Sequence, residues 1–129
     1  MEFIAYNANP KRRKTDDCYV RALSLALDKN YADVLKDLCN ISIEISYSVN
    51  SKECIKEYLS RMGIKMEKMP RRKDNTRYTT KEFADELAKP RKIYVLSLAK
   101  HLTCIKNKNL YDTWNCGNKS VGNYWIIQK

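Results

Sequence analysis

The chain has 129 residues, 43% of them apolar, with 25 Lys and Arg against 15 Asp and Glu, a formal net charge of +10. That length suits a single domain over residues 1–129 with one sizeable core. Three Gly and three Pro exclude collagen-like sequence and long flexible linkers, and no apolar run reaches the ~18–20 residues of a membrane span.

The chain opens with apolar Phe3, Ile4 and Tyr6 and passes into the turn-like Asn7-Ala8-Asn9-Pro10 and the basic Lys11-Arg12-Arg13-Lys14. This start turns polar too early for a secretion signal, so a soluble, cytoplasmic protein with no membrane partner is expected. Thr15, Asp16 and Asp17 offer caps and first-turn acids for a helix beginning at or just before Cys18. Residues 19–27 are apolar nearly all round, broken by Arg21 and Ser24, which predicts a buried central helix. Tyr31, Val34, Leu35 and Leu38 mark a second, amphipathic helix. Across 41–49, Ile41, Ile43, Ile45, Tyr47 and Val49 alternate with polar residues, the pattern of a strand or extended loop.

Ser51 caps a third helix bearing Cys54, Ile55, Tyr58, Leu59 and Met62, and Gly63 stops it. Residues 64–69 are a short strand candidate. Thr79-Thr80-Lys81-Glu82 has capping-box spacing before a helix that Pro90 closes. Residues 93–98 read as a strand buried on both faces. Residues 102–105, an Asn-rich turn over 106–109 and residues 110–114 read as a β-hairpin, with 121–127 as the final strand. Helices first and strands afterwards define an α+β arrangement: a central N-terminal helix packed on a C-terminal antiparallel sheet.

Five cysteines (Cys18, Cys39, Cys54, Cys104 and Cys116) form no CxxC pair, and there is one histidine. The odd count argues against a disulfide framework, and too few local ligands exist for structural zinc. No metal or cofactor is expected, and most thiols should pack as small apolar groups. Cys116 falls in a polar turn, where a thiol can be exposed. Arg21 reads as a buried structural ion pair or the edge of an anion site, the first being favoured, and Trp114, Tyr124 and Trp125 read as residues that close the core.

The charge excess admits a nucleic-acid surface, with Arg71, Arg72 and Lys73 a candidate basic patch beside the 11–14 cluster. Neither cluster is interleaved with exposed aromatics, and charge alone carries no specificity. Solvated cations are therefore the favoured reading.

Cys18 stands apart from the other thiols. It falls in the first turn of its helix, where unpaired N–H groups and the helix dipole favour an anion, although Asp16 and Asp17 oppose it. A cationic partner is needed, and His101 is the sole imidazole. With an even-length turn that pairs Lys106 with Asn109, Thr103 faces Asp112, and His101 shares a face with Asp112. That arrangement lets a carboxylate orient the imidazole. An odd-length turn puts Asp112 on the other face.

The segments Asp17-Cys18-Tyr19-Val20-Arg21-Ala22-Leu23, His101-Leu102-Thr103 and Tyr111-Asp112-Thr113-Trp114 resemble small papain-like cysteine-peptidase-fold proteins of phages and Gram-positive bacteria. They are similar to the bacteriocin-processing peptidase branch, and the lead-in Asn7-Ala8-Asn9-Pro10-Lys11 extends the likeness over most of the chain. The resemblance implies Cys18 as nucleophile, His101 as base and Asp112 as orienting residue. It also implies an oxyanion held by the Cys18 backbone N–H and an upstream side-chain amide. Such enzymes place a glutamine shortly before the cysteine. Here Arg12 and Arg13 stand in that stretch and no glutamine precedes Gln128, which leaves Asn9 or Asn7 as the amide.

The expected function is a cysteine hydrolase, peptidase or amidase-like, that cleaves an amide or isopeptide bond of a protein or peptide held in a surface groove. The alternative is a catalytically silent basic binding module, such as a phage protein that inhibits a host protein or binds nucleic acid.

Overall fold

Local side-chain chemistry sets most of the helix boundaries. The computed structural model describes residues 1–127; Gln128, and so the end of the expected 1–129 span, lies outside the described residues. Helix α1 (Cys18–Leu27) stops at Asp28, whose backbone turns left-handed at φ 51°. Asn30 caps α2 (Tyr31–Ile45) by accepting from the Ala32 and Asp33 N–H groups. Ser51 caps α3 (Lys52–Arg61) by accepting from Cys54 N, and the chain leaves it through Gly63 at φ +77°, a conformation that glycine adopts without strain. Thr79 and Glu82 form a reciprocal capping box at α4 (Thr80–Glu82), which continues as a π-helical turn over Phe83–Leu87 before Pro90.

One expectation fails in this half. Residues 41–45 continue α2 rather than forming a strand. Val34, Leu38, Ile41 and Ile45 recur at three-to-four-residue spacing and pack inward, while Ile43 is 78% exposed. The alternating isoleucines thus imitate a strand while helical spacing decides which of them is buried.

Six strands form one sheet: β1 (Phe3–Ala5), β2 (Met66–Glu67), β3 (Ile93–Leu98), β4 (His101–Lys106), β5 (Asn109–Asp112) and β6 (Tyr124–Ile127), in the order β1-β5-β4-β3-β6-β2. The sheet is mixed rather than antiparallel, because β1 runs parallel to β5. The β4–β5 hairpin has the register anticipated, with Lys106 opposite Asn109 and Cys104 opposite Tyr111. Its two turn residues, Asn107 and Lys108, both have positive φ, which matches the right-handed twist of the flanking strands.

Both faces of the sheet are covered. On one, α1, α2 and α3 bury Val20, Leu23, Val34, Leu38 and Leu59 against Val95, Leu102, Cys104 and Trp125. On the other, Phe83 and Ala84 pack on Tyr94, Leu96, Ile105 and Leu110, with Cys116 and Val121. Cys116 is fully buried there, contrary to its polar-turn setting. Helix α1 packs chiefly on β4, as its all-round apolar sequence requires. No helix among the described residues is long and apolar enough to cross a membrane.

Candidate active site

Cys18 is the first residue of α1 and His101 the first of β4, so both side chains sit where their elements begin and where α1 crosses the strand. Asp112 ends β5, on the strand beside β4. The even turn keeps Asp112 in phase with His101 and Thr103. His101 Nε2 lies 2.7 Å from Asp112 Oδ2, and Thr103 Oγ1 donates to the same oxygen at 2.6 Å. Thr113 N donates to Asp112 Oδ1 at 2.7 Å.

Asp112 is 6% exposed. Burial alone would raise its pKa, but the hydrogen bonds from His101 and Thr103 and the imidazole charge hold it below the usual carboxylate range. Burial likewise opposes the charged imidazole of His101. The Asp112 hydrogen bond, with contributions from the Cys116 and Cys18 thiols and the Asp112 charge, outweighs it and raises the pKa from 6.5 to about 11. The ring is therefore held as a cation at neutral pH.

Two residues with no part in the site expected from sequence complete this arrangement. Trp114, expected in the core, is 42% exposed and lies against the imidazole with ring centroids 5.0 Å apart. Cys116 Sγ approaches Asp112 Oδ2 at 3.6 Å from within the second core. His101, Asp112 and Cys116 bring one ligand atom each within 4.8 Å, a metal-compatible set that their sequence spacing conceals. The shared Asp112 oxygen already accepts from His101 and Thr103.

The N-terminus of α1 is built from a polar network. Asp17 occupies the N-cap position, yet its carboxylate makes no capping hydrogen bond, and neither it nor Asp16 lies in the first turn. Instead it accepts from Tyr31 Oη at 2.6 Å and Asn9 Nδ2 at 3.0 Å, and it pairs with Arg21. Burial would raise its pKa; those hydrogen bonds and the guanidinium charge lower it. Arg21, as expected, is a largely buried ion pair, and its Nη2 also reaches Asp112 Oδ1 at 3.8 Å. The charge of Asp17 is thus countered by Arg21, and the first-turn N–H groups at Cys18 are left uncapped by its side chain.

Of the two amides considered for an oxyanion, Asn9 is 8% exposed and directs its Nδ2 at Asp17 and, at 3.5 Å, Tyr31. Those two acceptors already engage its Nδ2, and Asn9 does not line the cavity over Cys18. Asn7 does line that cavity, with its Nδ2 3.5 Å from the Arg13 carbonyl.

Cys18 and His101 stand where two open cavities meet. One, of about 910 Å³, includes Tyr6, Asn7, Arg12, Arg13, Lys14 and Trp114 in its wall. The other, of about 460 Å³, is bordered by Asn50, Lys52, Ile55, Ser97 and Trp125. Arg71, Arg72 and Lys73 line neither. Arg72 is paired with Glu82 and Glu86 and lies over the Tyr78 ring, while Arg71 bonds the Asn75 carbonyl. The sequence-separated Tyr6 and Trp114 are the exposed aromatics that accompany the 11–14 cluster in space.

No family model, curated protein or solved structure matches the chain.

Proposed function

We propose that the protein is a cysteine hydrolase of papain-like architecture that cleaves amide or isopeptide bonds in a protein or peptide. The observation that carries this reading is the 2.7 Å contact between His101 Nε2 and Asp112 Oδ2 on a ring that shares its cavities with Cys18. Nε2 is engaged by Asp112, so Nδ1 is the nitrogen left to exchange a proton with the thiol.

Cys18 Sγ attacks the carbonyl carbon while its proton resides on the His101 ring. The oxyanion that forms is met by uncapped N–H groups at the start of α1. Collapse breaks the carbon–nitrogen bond, and the leaving amine takes the proton from His101, leaving a thioester on Cys18. Water, deprotonated by the neutral imidazole, then attacks the thioester and releases a carboxylic acid and the thiol. Asp112 holds the ring through its charged and neutral states. The two cavities flanking Cys18 suit an extended chain crossing the thiol.

The test uses p-nitrophenyl acetate with a Cys39→Ser background, because Cys39 is exposed and would react alongside. A burst of nitrophenolate, a hydroxylamine-labile acyl group on Cys18 and loss of both in His101→Ala are expected. Equal release by the parent and by Cys18→Ser would overturn the reading.

A further inference from the structure

The cavity of about 910 Å³ beside Cys18 has a predominantly cationic wall. Arg12, Arg13, Lys14, Arg21 and Lys100 line it, against Asp16 as the one acidic residue in its wall. Arg21 is taken up by Asp17. Arg12, Arg13, Lys14 and Lys100 are exposed, and no ion pair among the described residues engages them. Like charges gathered around a concave, partly apolar site raise the local potential and attract an anionic ligand. The same cavity contains the thiol and the imidazole.

We propose that this cavity binds an acidic segment of the peptide whose amide bond Cys18 attacks, so that the substrate class is an acidic peptide. This rests on the hydrolase reading above and adds its specificity. Carboxylates of the substrate pair with Arg12, Arg13 and Lys14 on one side of the scissile bond and with Lys100, which borders both cavities. The chain on the other side enters the second cavity past Trp125, whose wall adds Lys52 to the shared Lys100. A peptide fits better than a nucleic acid strand. Of the two exposed aromatics beside these cations, Trp114 is already packed on His101, and the second basic cluster lines neither cavity and has Arg72 neutralised.

The backbone permits a clean test. Arg12 and Lys100 both adopt left-handed conformations, at φ 53° and 54°, where glycine is the less strained residue. Arg12→Gly with Lys100→Gly therefore removes two charges without loss of fold, checked by an unchanged or higher Tm. The probes are a fluorescein-labelled peptide alternating glutamate and alanine, its glutamine–alanine counterpart, and a labelled oligothymidylate. Binding is measured by anisotropy on the Cys18→Ser protein. The glutamate peptide should bind more tightly than the glutamine peptide, weaken with added salt, and lose about five- to tenfold affinity in the double glycine variant.

Equal binding of the two peptides, or no loss in the double variant, overturns the inference while a nitrophenolate burst from Cys18 keeps the hydrolase. Tighter, salt-sensitive binding of oligothymidylate overturns it in favour of a nucleic-acid site. Selective binding of the glutamate peptide by a protein that shows no burst fails the hydrolase, and with it the peptide's standing as substrate.

Discussion

His101 Nε2 and Asp112 Oδ2 lie 2.7 Å apart, the imidazole at the head of β4 and the carboxylate at the end of β5. Two turn residues, Asn107 and Lys108, fix the strand register that makes this contact. One inserted turn residue would move Asp112 to the opposite face. An insertion between Asn107 and Lys108 should therefore abolish acylation of Cys18 while leaving most of the secondary structure, a result read by circular dichroism beside the nitrophenyl acetate burst. Full acylation with an intact fold would contradict this.

The pair also predicts how stability depends on pH. Asp112, with its folded pKa depressed from 3.8, contributes above that value and loses the contribution as pH falls through the folded pKa. His101, raised from 6.5 to about 11, contributes fully below 6.5 and loses it as pH rises toward about 11. Both contributions are complete between 3.8 and 6.5. Urea unfolding of wild type and His101→Gln should thus differ most in that window, with the gap narrowing steadily on the alkaline side. A gap independent of pH would refute the coupling.

Asp17 anchors the start of α1 through Arg21, Tyr31 and Asn9. Asp17→Ala leaves a guanidinium only 12% exposed beside an empty site, a loss of about 3–5 kcal/mol. Denaturant titration measures it. A cost below ~1 kcal/mol would mean that water replaces the carboxylate readily.

The helical path of α2 makes a different kind of prediction. Ile41 is 3% exposed and Ile43 78%. Ile41→Ala should cost about 2–4 kcal/mol, and Ile43→Ala less than about 0.5 kcal/mol. In a strand the two would share a face, and the costs would be alike.

Trp114 covers the imidazole yet is 42% exposed, so Trp114→Ala should cost little stability, ~1 kcal/mol. Its larger effect should be on His101, whose ring gains solvent, seen as a shift of the imidazole proton resonances. Unchanged resonances would show that the stacking does not shape the ring's surroundings.

The legible parts of this chain were those governed by near neighbours. Ser51, Gly63 and the Thr79–Glu82 box mark helix ends because capping is a contact over three or four residues. The hairpin parity was readable because the strand period is two, and it placed Thr103 opposite Asp112.

What stayed hidden depends on distant chain. The β1–β5 pairing joins Phe3 to Leu110, and a three-residue strand carries no periodicity of its own. Cys116 lies in a polar turn but is buried in the core that Phe83, Tyr94 and Leu96 share, residues far from it in sequence. Asn9 looked free to meet an oxyanion until Asp17 and Tyr31 converged on its amide. The cavity's charge was visible at Arg12, Arg13 and Lys14, but Lys100 joins it only through the fold.

In the proposed hydrolase, His101 activates Cys18. The most direct test of this activation is the rate at which Cys18 takes up iodoacetamide at neutral pH, followed by intact mass in the Cys39→Ser background, with and without His101→Ala. Loss of the imidazole should slow alkylation of Cys18 at least about tenfold. Equal rates in the two proteins, with both folded, would contradict it.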